Sequence, residues 1–298
     1  MYIRWSTSPF ASVLYAARQL TRVGHDLTNR QQYASLTPFA AELARQLDES
    51  PSLGGWEVAM TVAVQHHDLE TCYVAVADAL TERCPANRTR ILEILRSLTD
   101  QAQQLFPSLQ EELRLRVGPL RLQWEARGPG LLRMVMYWGR HELSPTSHVA
   151  AVLPVDAGGG VVIGSQLVAI EAVLANPQER MPEVLRLGWL LSQLVPHDRW
   201  SGAGVNYHPG ESPCNRLWSL ALIPAILAAG ERLELCECTE RSVHDAVQFW
   251  LPPDERKATI ADCLWAWWTS GANMESGRLT SLDKLQSLLK AQWQQLTA

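Results

Sequence analysis

The chain has 298 residues, of which 47% are hydrophobic and 19% charged, and it carries a formal charge of -5 at pH 7. That length provides one large or two ordinary domains with ample core, and the composition excludes a disordered or fibrous chain. The negative balance removes the chain-wide positive field that nucleic-acid binding requires, and the basic residues, only three of them lysines (Lys257, Lys284 and Lys290), are scattered without forming a basic tract.

The opening MYIRWSTSPFASVLYAARQL carries Arg4, Trp5 and Pro9 and lacks the uninterrupted apolar stretch and small-residue cleavage site of a secretory signal. Within it, Phe10, Val13, Leu14, Ala17 and Leu20 recur at helical spacing until Gly24. A second stripe, Phe39, Leu43 and Leu47, follows Thr37 as a cap candidate and Pro38 as a first-turn residue. In HHDLE, His66 and Glu70 stand one helical turn apart, a spacing that permits a metal and equally a surface ion pair. From residue 86, Ile91, Leu95, Leu98, Ala102 and Leu105 sustain the pattern. No phrase returns at a fixed period, which argues against a repeat solenoid. Residues 1–105 are therefore expected to form a helical region, with a boundary at Phe106-Pro107 and an α+β region over 106–298.

Helical patterning resumes at Pro107 and is expected to break or kink at Gly118-Pro119 and at Gly128-Pro129-Gly130. Between 148 and 173 the texture changes to short β-branched runs around a triple glycine, the pattern of strand, turn and strand. Pro154 points to a strand edge or end. GGVVIGSQ has the glycine spacing of a phosphate loop but lacks its lysine, so a tight turn explains it better. HELSPTSH offers His141 and Glu142, yet Pro145 opposes the helix that a metal motif needs.

After Asn176-Pro177 the helical period returns over 182–195, 214–229, 241–250, 254–269 and 280–296. The apolar run LWSLALIPAILAA is too short to cross a bilayer and contains Pro224, so a buried helix and a soluble, cytoplasmic protein are expected. The six cysteines are too sparse for a disulfide framework. Cys236, Cys238 and His244 are soft ligand types without paired C-x-x-C spacing. Trp265, Trp267 and Trp268 cannot all face one side of a helix, which leaves one ring that could meet solvent or a partner, although core packing is the better reading because aromatic side chains bury the most area.

The phrases WEARGPGLL, IEAVLANP and PEVLRLGWLLSQL resemble a family of uncharacterised bacterial proteins, across the central third of the chain. These patterns together predict an α+β, mostly helical fold with a small sheet packed with helices, and the order helix, strand, glycine turn, strand, helix resembles, more loosely, the core of zincin-type metallopeptidases. In those enzymes the helix after the sheet carries H-E-x-x-H, two histidines for zinc and a glutamate for its water. Here the corresponding positions read Trp189, Leu190, Leu191, Ser192 and Gln193, none of which can do that work. Leu187, Leu190, Leu191 and Leu194 instead fit the stripe of an amphipathic core helix.

The polar loop VPHDRWSGAGVNYHPGESPCN, 195–215, concentrates His197, Asp198, His208 and Glu211 among glycines and prolines. These are ligand types for a divalent metal such as zinc, should the loop fold back on itself. With no complete catalytic motif and no cofactor signature, the chain reads first as a non-enzymatic interaction or scaffold protein on a catalytically dead metallopeptidase-like fold, its helical N-terminal region offering a face to a protein partner. Nucleic acid and membrane are not expected partners. The alternative is a metal-dependent hydrolase with its site in the 195–215 loop.

Overall fold

The computed structural model describes residues 2–21, 31–48, 54–66, 68–82, 87–139, 146–155, 159–173, 178, 180–194, 213–251, 254–270 and 282–296. Among them the fold is α+β and mostly helical. In chain order the elements are β1 (Tyr2–Ser6), α1 (Pro9–Thr21), α2 (Thr37–Asp48), α3 (Gly55–Ala63), α4 (Leu69–Thr81), α5 (Arg88–Leu105) and α6 (Leu109–Gly139). Three strands follow, β2 (Thr146–Val152), β3 (Gly160–Ile163) and β4 (Leu167–Glu171). The chain ends in α7 (Glu183–Leu191), α8 (Pro213–Arg232), α9 (Glu240–Trp250), α10 (Lys257–Ser270) and α11 (Leu282–Leu296).

Two compact units share these elements. One contains Ile3–Pro119 and His148–Leu174; the other contains Met1–Tyr2, Leu120–Ser147 and Ala175–Ala298. The units interleave along the chain, whereas the sequence suggests one boundary near Phe106-Pro107. The physical reason is that the strands after residue 146 join a core built by the first hundred residues.

In the first unit the sheet order is β1-β2-β4-β3. β2 and β4 are parallel, with Ala150 opposite Ala169 and Val152 opposite Glu171, while β3 and β4 form an antiparallel hairpin. That hairpin turns at Gly164, whose φ of 60° lies in the left-handed region that favours glycine. Pro154 falls beyond the end of β2, an interior strand that cannot spare a backbone donor. The glycine-rich stretch is thus a strand and its turn. β1 is a departure, a strand in a region expected to be all helix.

Ala150, Val152, Ile163, Leu167 and Ala169 from the sheet share one core with Phe10, Leu14, Ala40, Leu43, Met60, Val76, Ile91, Leu95 and Leu98 from α1 to α5. The expected stripes are buried, except that Leu20 and Phe39 only pack against this core and Leu105 is exposed. Asp68 and Asn87 cap α4 and α5 by accepting from the backbone N–H groups of Thr71 and Arg90.

α6 corrects the expectation of a break, since it runs unbroken through Gly118-Pro119 and Gly128-Pro129-Gly130. Pro119 and Pro129 are both exposed, and the carbonyls they leave without a helical donor, those of Leu115 and Glu125, belong to exposed residues that water can reach. In the second unit, Leu120, Trp124, Gly128, Leu131, Val135 and Trp138 form the buried stripe of this helix.

α7 is shorter than the expected 182–195, ending at Leu191 with Ser192 as C-cap. It is buried on every side, not amphipathic: Arg186 is as inaccessible as Leu187 and pairs with Glu183 at its mouth. α8 buries an unbroken run from Ala221 to Gly230, with Pro224 inside it.

Candidate functional site

Among the described residues we distinguish three places, each within a single unit. The first is buried. Glu171 ends β4 on the face that carries Ala169, so its carboxylate points into the helical core, where it is fully inaccessible. Oε1 accepts from the Tyr15 hydroxyl at 3.2 Å and from the Val155 N–H at 2.9 Å, and Oε2 accepts from the Gly159 N–H at 2.8 Å. The Glu171 N–H in turn donates to the Gly159 carbonyl at 3.0 Å. A Cβ on Gly159 would stand 2.8 Å from the Tyr15 hydroxyl oxygen, which explains a glycine there. Both carboxylate oxygens are engaged in holding backbone, so the group fastens the chain on either side of 156–158 to the end of β4. Nearby, Tyr33 donates to the Pro154 carbonyl at 2.9 Å, and burial, with the Glu171 charge adding, pushes its phenol above the ordinary range.

A second place is the exposed side of α6 in the second unit. Leu122, Ala126, Pro129, Arg133 and Tyr137 follow one another at helical spacing, directly opposite the buried stripe, and all are exposed. Leu122 keeps 69% and Tyr137 71% of its surface. Arg133 carries the only charge on that ridge, and Arg121 beside it is already bound to Glu125 at 2.7 Å.

The third is a surface cluster on α9 and α10. Thr239 caps α9 in a reciprocal box with Ser242, which fixes Glu240 as the first helical residue. His244 follows one turn later on the same side, while Val243, Ala246, Val247 and Trp250 bury the other. Asp262 of α10 brings Oδ1 to 2.9 Å from His244 Nε2. The ligand atoms of Glu240, His244 and Asp262 all lie within 4.8 Å of one another.

Several residues that the sequence groups as ligand candidates stand apart in the fold. His244 does not join Cys236 and Cys238; the Cys236 thiol donates to the Leu227 carbonyl and the Cys238 thiol to that of Pro224. Burial pushes the Cys236 thiol up to about 12, the wrong direction for a thiolate ligand. Glu70 binds Arg96 of α5 at 2.9 Å, a partner the His66–Glu70 spacing does not suggest. Of the three clustered tryptophans, Trp267 and Trp268 are buried and Trp265 is half-buried. In the slot compared with H-E-x-x-H, Gln193 lies in the turn after α7 and donates to the Trp189 carbonyl at 3.1 Å. Trp189 Nε1 donates to the Ser219 carbonyl at 2.7 Å, its ring stacked on Trp250. His197, Asp198, His208 and Glu211, with His141 and Glu142, lie outside the described residues.

Sequence reasoning missed Asp262, because only the packing of α9 on α10 brings it to His244. The Glu240–His244 spacing of four was the available signal. In comparisons with family models, characterised proteins and solved structures, nothing matches this chain. The functional reading therefore rests on the residues themselves.

Proposed function

We propose that the chain is a cytoplasmic interaction protein that works without catalysis and that it recognises a protein partner through the exposed ridge of α6. The carrying observation is that Leu122, Ala126, Pro129 and Tyr137 share one solvent-facing ridge with a single charge, at positions where a solvated helix ordinarily carries polar side chains. This puts the face on α6, not on the first hundred residues.

The partner is an amphipathic protein helix with an apolar stripe for Leu122 and Tyr137 and an acidic residue for Arg133. The net charge of -5 and the engagement of Arg121 by Glu125 favour such a segment over a nucleic-acid backbone. Among the described residues no helix is long and apolar enough to cross a membrane. The likeness to a metallopeptidase core without its zinc helix belongs to the same proposal, supported by Trp189 and Gln193 being committed to packing and to a backbone carbonyl.

Photo-crosslinking residues at 122, 126 and 137, with 123 and 127 as exposed controls off the ridge, test this in cells of the source. One shared product from the ridge positions, lost on Arg133→Glu, is expected. Equal products from ridge and control positions would refute the assignment.

A further inference from the structure

The geometry points to a site for one borderline divalent cation, of the zinc kind, at Glu240, His244 and Asp262. It involves neither the α6 ridge nor the 195–215 loop. The cluster combines an imidazole nitrogen with carboxylates from two helices. Two ligands at about 2.1 Å from a metal and about 90 to 110° apart stand roughly 3 to 3.4 Å from each other. His244 Nε2 and Asp262 Oδ1, 2.9 Å apart, already sit close to the edge of such a polyhedron. Glu240 reaches the same point from one turn below, within the 4.8 Å that encloses all three ligand atoms, by a side-chain rotation.

The frame is rigid where it must be. The Thr239–Ser242 capping box holds the start of α9, and Ala261, Cys263 and Leu264 are buried on α10 around Asp262. With neutral imidazole the three groups bring a formal charge of about -2 to one small patch, which a His–Asp hydrogen bond alone does not neutralise and a divalent ion does. The nitrogen ligand favours zinc, copper or nickel over magnesium, calcium and manganese, which prefer oxygen. Glu240 and Asp262 are exposed, so water completes the coordination sphere.

The test is calorimetric titration of the full chain, stripped with chelator, with zinc, and cobalt absorption as a report on the ligand set. We expect one binding event that weakens roughly tenfold or more in His244→Gln and in Asp262→Asn, with a smaller loss in Glu240→Gln and no competition from magnesium. Metal-free thermal midpoints should stay close to the parent, since the groups are at the surface. Zinc affinity unchanged in both His244→Gln and Asp262→Asn would overturn the site and leave an interhelical hydrogen bond. So would the absence of any binding up to about 1 mM zinc. Should a substitution disturb folding, cobalt-induced paramagnetic shifts of the His244 ring resonances in the unaltered protein, reversed by added zinc, decide: such shifts support the site, and their absence overturns it.

Discussion

The indole of Trp124 lies over Gly128, one turn further along α6, so closely that a Cβ on Gly128 would stand 2.5 Å from Cε2 and Cε3 of the ring. The glycine that reads as a helix breaker is space for a tryptophan. Gly128→Ala should therefore destabilise the protein: the helix-propensity gain is about 1 kcal/mol, and moving a buried indole costs about 1 to 3 kcal/mol. A net loss on the order of 1 kcal/mol in chemical denaturation is expected. In Trp124→Ala the same substitution should become neutral or stabilising, and a cycle without coupling would refute the contact.

α8 closes with Leu235 N–H on the Gly230 carbonyl at 2.9 Å and Glu234 N–H on that of Glu231 at 3.0 Å, the double bond pattern of a left-handed helix end. The residue in that conformation, with φ of 57°, is Glu234. A glycine there removes a Cβ clash of about 1 to 2 kcal/mol, partly offset by added freedom in the unfolded chain. Glu234→Gly should raise stability by roughly 0.5 to 1 kcal/mol. A lower thermal midpoint would contradict this account of the cap.

These two positions mark where local sequence stops being sufficient. Stripes such as Ile91, Leu95 and Leu98 are legible because burial on a helix repeats within a short window. The β3–β4 hairpin is legible for the same reason, its turn signalled by glycine. β1 is a half-exposed edge strand of five residues whose partner begins some 140 residues later, so its pairing leaves no local period. Pro129 looks like a break until the exposed side of α6 is known. His244 is legible as a ligand type, while Asp262 becomes its neighbour only through the packing of α9 on α10.

Leu190 is buried in the last turn of α7, a helix covered on all sides. Truncation to alanine removes its methyls from a site with little room to collapse, so Leu190→Ala should cost about 2 to 5 kcal/mol. Gln193→Ala, which loses one hydrogen bond at the end of the helix, should cost about 1 kcal/mol. Comparable losses in urea unfolding would mean that the helix is not core.

His148 on β2 has its imidazole held below the ordinary 6.5 by burial, with the Arg4 charge adding. The unfolded chain then takes up the proton more readily than the folded one, so this residue costs nothing above the ordinary value. Stability falls as pH drops through about 6.5 toward the folded value, and the full penalty applies below it. His148→Gln should flatten the decline in denaturation midpoint between about pH 7.5 and 5.5 relative to the parent, and Arg4→Gln should flatten it less. A steeper decline in His148→Gln would reverse the sign argued here.

Glu171 offers the sharpest separation of charge from shape. Its carboxylate accepts from the Val155 and Gly159 N–H groups and from the Tyr15 hydroxyl in a fully buried setting. Glu171→Ala leaves these donors without their acceptor, at about 1 to 3 kcal/mol for each that water cannot reach, and adds a cavity. Glu171→Gln keeps the shape and one acceptor oxygen but turns an N–H₂ toward a donor. Its loss should fall between that of Glu171→Ala and that of Tyr15→Phe, which removes the hydroxyl's hydrogen bond to Glu171, about 1 kcal/mol. Because the carboxylate fastens the Gly159 N–H while the Glu171 N–H fastens the Gly159 carbonyl, both Glu171 variants should also speed amide exchange at Val155 and Gly159, which Tyr15→Phe should leave closer to the parent. Exchange at those two amides unchanged in Glu171→Ala would show that Val155 and Gly159 are held by something other than this carboxylate.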